Sequence, residues 1–145
     1  MSFQNPSQGE IKALLQRIKT VAVVGLSMDP DRPSYSVSSY LQGNGYRIVP
    51  VRPGGGEILG EKVYGRLSDI PFAVDIVDHF RRSSEVGAHV DEAIELRVPA
   101  IWMQEGVIDE EAALRARAAG LVVVMDRCML KEHRKAGLSS KPPPA

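Results

Sequence analysis

Residues 20–27 read Thr20-Val21-Ala22-Val23-Val24-Gly25-Leu26-Ser27. The first five carry no charge and no polar alternation, and a glycine closes them. A short continuous apolar run of this kind predicts a strand covered on both faces, as strands are in a parallel sheet. Gly25 allows another backbone or a ligand to approach closely. Beyond the loop Met28-Asp29-Pro30-Asp31-Arg32, Pro33-Ser34 opens a helix, with proline in the first turn where its missing N–H costs nothing. Strand, turn and helix in that order predict an α/β chain.

On the amino side, Ile11, Leu14, Leu15 and Ile18 stand at the spacing of one buried helix face. On the carboxyl side four more strands are expected: Tyr46–Val51, Ala73–Val77, Pro99–Met103 and Leu121–Met125. Pro50 forbids a complete ladder near the end of the second. Between them, Val37, Tyr40 and Leu41 share a helix face that stops at Gly43 and Asn44-Gly45. Val86, Val90, Ala93 and Ile94 share another, with Ser83 or Ser84 as N-cap candidates. A third helix runs from Asp109 through Arg115 to Ala119, with acids in its first turn and Gly120 at its end. The residues after Asp126 read as helical too. This order, with one short connection near Leu67–Ile70, predicts a single Rossmann-like, doubly wound domain over residues 1–136, with a five-stranded, mainly parallel sheet. Gly137–Ala145 (GLSSKPPPA) reads as a disordered tail.

Composition narrows the function. The 145 residues hold 18 Lys+Arg against 18 Asp+Glu, and a net charge of zero argues against general nucleic-acid binding, which needs a basic excess. A single cysteine, Cys128, excludes an intramolecular disulfide and any Cys-paired zinc site, and it suits a reducing compartment. No apolar run approaches the ~18 residues a membrane span needs. The opening MSFQNPSQGE carries neither the basic end nor the apolar core of a secretory signal. The expectation is a cytoplasmic globular domain.

In a doubly wound sheet, ligands bind beyond the carboxyl ends of the strands, where strand order reverses. At the end of the first strand stand Gly25, Leu26 and Ser27, and the free N–H groups of the helix opened by Pro33-Ser34 can face an anion. A phosphate-bearing ligand fits; the plain alternative is an ordinary strand-to-helix loop. Two absences narrow the guest. The dinucleotide fingerprint G-x-G-x-x-G is missing, with Ser27 and Pro30 in two of its places. The second strand ends Val51-Arg52-Pro53, with no carboxylate to take ribose hydroxyls. A guanidinium there favours an extra ribose phosphate, which points to NADP or coenzyme A. No P-loop occurs in the sequence.

The pattern VAVVGLS…DRPSY…YLQGNGYRIVPVRP, followed by DIVDHF, IWMQEG and DRCMLKEH, resembles the small stand-alone coenzyme A-binding proteins. These are similar to the N-terminal CoA-binding domain of the succinyl-CoA synthetase alpha chain. The resemblance runs from about Lys12 to His133. It implies that Gly25, Leu26 and Ser27, with Arg32, Pro33, Ser34 and Tyr35, hold the pyrophosphate and adjacent groups. Val51, Arg52 and Pro53 would flank the adenosine, and Phe80, Arg81 and Arg82 would lie at the third strand's mouth. Met103, Gln104 and Glu105 match a short polar turn of the synthetase domain. In such relatives a basic group follows the V-x-P; here Gly54-Gly55-Gly56 follows, and Arg52 is expected to supply the charge to the 3′-phosphate.

Other residues have plainer readings. His79, His89 and His133 lack the spacing of a zinc site, and His89 beside Val90 reads as a packed or rim histidine. Cys128 reads as structural, Trp102 as core, and Lys141 before three prolines as a solvated end. Asp75 and Asp78, three apart on an expected strand, would face opposite ways. Asp78 either touches a ligand or caps a loop. The succinyl-CoA synthetase reaction needs a phosphorylated histidine in another domain and a partner chain, so it is not carried over. The expectation is a non-catalytic CoA or acyl-CoA binding protein; the alternative is an NADP-binding redox or regulatory domain. A homodimer, or docking onto a larger synthetase or acyltransferase, stays open.

Overall fold

The computed structural model describes residues 2–142. Five strands form one parallel sheet: β1 (Thr20–Val24), β2 (Arg47–Val51), β5 (Ile76–His79), β6 (Ala100–Met103) and β7 (Val122–Val124), in the order β2-β1-β5-β6-β7. Two residue pairs, β3 (Glu57–Ile58) and β4 (Glu61–Lys62), make a small antiparallel hairpin outside it. The chain steps from β1 outward to β2 and then returns past β1 to β5, so the order reverses between β1 and β5. Their carboxyl ends flank the crevice in which such sheets hold ligands.

Side-chain parity divides the core. Val21 and Val23 of β1, Ile76 of β5 and Trp102 of β6 pack with helices α1 (Gln8–Arg17), α2 (Pro33–Gly43) and α5 (Met129–Ala136). Ala22, Val24, Val77, Ile101 and Met103 face the other way, onto α3 (Ser83–Glu95) and α4 (Glu110–Ala118). The apolar runs are therefore covered on both sides, as their lack of alternation predicts. Pro50 is tolerated because β2 is the sheet edge. On its outer side the Pro50 carbonyl accepts the Tyr64 N–H at 3.0 Å, and Arg52 N–H donates to Tyr64 O at 2.9 Å.

Some expected boundaries shift. The strand expected at Ala73–Val77 is Ile76–His79. Asp75 stands before it, its Oδ2 accepting the N–H groups of Lys19 at 2.8 Å and Thr20 at 2.9 Å. Asp75 thus lies just outside the strand and Asp78 within it, so the two do not alternate along one strand. Neither Ser83 nor Ser84 caps α3. Arg82 takes the N-cap position without a side-chain bond. Ser83 Oγ instead accepts the Ile108 N–H at 2.9 Å and donates to Gly106 O at 3.3 Å, tying α3 to the loop after β6. The segment read as a disordered tail lies along the body as far as Pro142. Lys141 N–H donates to Asn44 O at 2.8 Å, Lys141 Nζ donates to Gln16 O at 2.6 Å, and Leu138 packs on the α1 side. Its last residues, 143–145, lie outside the described range. No helix among the described residues is long and apolar enough to cross a membrane.

Candidate functional site

Two clefts open at the carboxyl edge of the sheet and meet at Gly25. The larger, of about 520 Å³, is lined by Gly25, Ser27, Arg32, Pro33, Ser34, Val37, Phe80, Gln104, Glu105, Val107 and Cys128. The smaller, of about 230 Å³, is lined by Val24, Gly25, Val51, Arg52, Pro53, Gly65, Arg66, Arg81, His89 and Glu92. Gly25 is the shared wall because β1 ends there with φ +88°, a left-handed conformation that bends the chain away from the sheet. Its N–H donates to Val51 O at 3.0 Å, fixing the turn against β2.

The first turn of α2 forms one wall of the larger cleft. Arg32 is its N-cap and Pro33 its first residue. Ser34, 5% exposed, accepts the Ser27 N–H at 2.9 Å through its Oγ, which pulls the loop onto the helix start. The opposite wall comes from β6 and α5. Gln104 N–H donates to His79 O at 3.2 Å, and Gln104 O accepts the Val107 N–H at 2.8 Å. Cys128, the N-cap of α5, is half-buried at the rim. It is held by its neighbour: Arg127 O accepts the Trp102 Nε1–H at 2.8 Å. Glu105 is engaged by Lys131, whose Nζ donates to it at 3.0 and 3.1 Å.

The smaller cleft is the more cationic. The Arg52 side chain makes only long bonds, to Leu26 O and Pro53 O, both at 3.4 Å. Arg81 pairs with Glu85 at 2.9 Å, while its aliphatic stem packs against Gly25. Partial burial and the Arg81 guanidinium lower the pKa of His89.

Of the residues expected at the site, twelve line one cleft or the other: Gly25, Ser27, Arg32, Pro33, Ser34, Val51, Arg52, Pro53, Phe80, Arg81, Gln104 and Glu105. Four do not. Leu26 and Met103 are fully buried core, Tyr35 packs on the α1 side, and Arg82 is exposed at the start of α3. The period-2 alternation of a strand end turns Met103 inward beside Gln104, and the α2 turn rolls Tyr35 away from the cleft. Cys128, Arg66, His89 and Val107 also line the clefts; the first three arrive from distant parts of the chain, while Val107 follows directly on the Gln104-Glu105 turn. Among the described residues no three His, Cys, Asp or Glu side chains gather as a metal-ligand set.

Two ionisable groups lie wholly buried at the end of β5. Burial pushes Asp78 up to about 8, partly opposed by its bond from Gln104, and pushes His79 down to about 3. Among the described residues, neither His79 ring nitrogen nor Asp78 Oδ2 has a partner. The folded protein thus holds a proton on Asp78 that the unfolded chain releases near its ordinary value of 3.8. That advantage is complete below pH 4 and is lost as pH rises toward 8, at up to ~1.4 kcal/mol per pH unit. Asp78→Asn, which has no proton to lose, should therefore gain in Tm relative to the unsubstituted protein between pH 4 and pH 8. Thermal melts at several pH values check this, and a constant difference would refute it.

The chain matches the family model described as "CoA binding domain" over residues 19–134. It is 45% identical over 131 residues to the protein YneT of Bacillus subtilis, covering 90% of this chain and 97% of that one. A solved structure from Pyrococcus horikoshii superposes with a TM-score of 0.88 at 34% identity, covering 95% of this chain and all of that one. A 60-residue stretch is 38% identical to an ADP-forming acetate–CoA ligase of Archaeoglobus fulgidus, spanning 40% of this chain but 9% of the ligase.

Proposed function

The chain belongs to the CoA-binding domain family, and from that membership we propose that it binds coenzyme A or an acyl-CoA along the carboxyl edge of the sheet and performs no chemistry on it. The observation that carries this reading is the pair of clefts meeting at Gly25. CoA is a long ligand with a phosphorylated nucleoside at one end, a pyrophosphate in the middle and a pantetheine arm at the other. The smaller, arginine-lined cleft suits the nucleoside and its 3′-phosphate. The Gly25–Ser27 turn and the first turn of α2 suit the pyrophosphate, since Pro33 and Ser34 begin a helix whose N-terminal field favours anions. The larger cleft then receives the arm, which has the chain length of about four extended residues, roughly 14 Å. From β1 to β7 is three strand spacings, also about 14 Å. The thiol end therefore falls near Cys128.

The non-catalytic part of the reading rests on how the polar groups of the larger cleft are used. Ser34 Oγ is occupied by the Ser27 N–H and Glu105 by Lys131. Neither makes the nucleophile–base contact that acyl transfer needs. Titration calorimetry with CoA, NADP and NAD tests the function. Saturable binding of CoA at least tenfold tighter than either dinucleotide is expected, because the arm adds contacts that a nicotinamide would not make. Binding of NADP without CoA would overturn the reading in favour of a redox or regulatory domain.

A further inference from the structure

Asp78 sits in the middle of the sheet, in register with Val23 on one side and Trp102 on the other, and none of its surface is exposed. A carboxyl group in such surroundings is costly, and an apolar side chain of similar shape would serve the packing better. Its one bond is to Gln104, whose Nε2 donates to Asp78 Oδ1 at 2.7 Å. Gln104 is itself 3% exposed, and that small opening faces the larger cleft. Its backbone is pinned at both ends, by His79 O and by the Val107 N–H. The side chain is the remaining freedom, and an amide can present either its oxygen or its nitrogen.

We infer that Asp78 is a positioning residue for ligand binding: by holding Gln104 Nε2 it turns Gln104 Oε1 to the larger cleft, as the acceptor for an amide N–H of the ligand's arm. The inference rests on the CoA reading above and deepens it. In the bond formed, Asp78 Oδ1 accepts from the nitrogen end of the amide, so the oxygen end is left to face outward. Among the described residues Gln104 Oε1 has no hydrogen-bond donor, and it is not among the sealed polar atoms, so it stands open to the cleft. The pantetheine arm carries two amide groups, each with one N–H. The adenosine half of CoA carries none on that side, so an acceptor held at Gln104 discriminates by the presence of the arm. A group preset in this way binds without ordering itself first, and so the bond contributes more to affinity.

The test compares two ligands that share everything but the arm: CoA, and adenosine 3′-phosphate 5′-diphosphate. Asp78→Leu removes the acceptor that holds Gln104 and keeps the side chain's shape. It should weaken CoA about five- to tenfold and leave the armless nucleotide within about twofold. Asp78→Asn keeps an oxygen for Gln104 Nε2 and should restore most of the CoA affinity. In a Gln104→Ala background, Asp78→Leu should change CoA affinity no further, because Asp78 acts through Gln104 alone. Should Asp78→Leu fail to fold, Gln104→Leu reads the same contact from the other partner and should give the same ligand split. Equal weakening of both ligands, no weakening of either, or an undiminished effect of Asp78→Leu without Gln104 would each overturn the assignment. If the unsubstituted protein bound neither ligand, the CoA reading itself would fail and the assignment with it. Binding of both by the unsubstituted protein leaves the variants to judge Asp78 separately.

Discussion

Gly25→Val is expected to lower CoA affinity by about a hundredfold or more, roughly 2.7 kcal/mol, and to lower Tm as well. Both effects follow from one backbone angle. At φ +88° a residue with a side chain is strained, and a β-branched one is a true outlier. The cost of holding it there is about 1–3 kcal/mol. A Cβ at this position would lie 3.0 Å from Arg81 Cδ and 3.4 Å from Arg81 Cγ. Those atoms belong to a long side chain that can move, but moving it displaces the guanidinium from the smaller cleft. The added methyls would also stand where the two clefts join, and a ligand occupying both must cross that point. Gly25→Ala serves as the milder control, with the same strain and less obstruction. Calorimetry and thermal melting on both variants separate the terms. Loss of Tm with unchanged CoA affinity in the valine variant would show that the ligand does not pass Gly25.

The fold was legible where pattern and burial agree. Thr20–Val24 is a strand with the expected bounds because every residue in it is apolar or small and both faces are covered. The same logic misplaced the third sheet strand. Ala73-Val74 looked like its start and Val77 like its end, yet the strand runs on through Asp78 and His79, which are inside the sheet. Buried polar residues mimic loop chemistry in a sequence, and only the surrounding fold reveals that Gln104 partners one of them. Ser83 opens α3 but does not cap it, for a related reason. Its hydroxyl found a tertiary partner in the loop after β6 rather than its own helix.

The site divides along the same line. Residues next to strand ends were readable, because topology puts all such ends on one edge: Gly25, Ser27, Val51, Arg52, Phe80 and Gln104 all line a cleft. Which neighbour of each points inward is a matter of parity, and a boundary uncertain by one residue exchanges Met103 for Gln104. Arg66, His89 and Cys128 come from a short turn, the middle of α3 and the start of α5. Their arrival depends on how helices pack, for which a single sequence gives no spacing rule. Cys128 in particular carries the signature of a buried structural thiol and is instead a rim residue.

Arg52→Ala should weaken CoA about tenfold or more and leave dephospho-CoA nearly unchanged. The two ligands differ only in the 3′-phosphate, so their ratio isolates the group being read. Arg52 is the cation in the smaller cleft best placed for the task. Arg81 is already engaged by Glu85 at 2.9 Å, and its stem is committed to packing against Gly25. Arg66 precedes the 3-10 turn Leu67–Asp69 and is exposed, so its charge is more strongly screened by solvent. Arg52 is half-buried, and its two present bonds, both 3.4 Å to carbonyls, are long enough to give up without great loss. A guanidinium in that state can turn both N–H groups to a phosphate, and hydrogen bonds to a charged partner contribute about 1.5–3 kcal/mol. Thermal stability should hold, since no ion pair and no buried bond is lost. Arg52→Lys should recover part of the affinity through charge alone, but not the paired geometry. Equal loss for CoA and dephospho-CoA would remove Arg52 from this role. The reading of the phosphate would then pass to Arg66, whose alanine variant should show the same split between the two ligands.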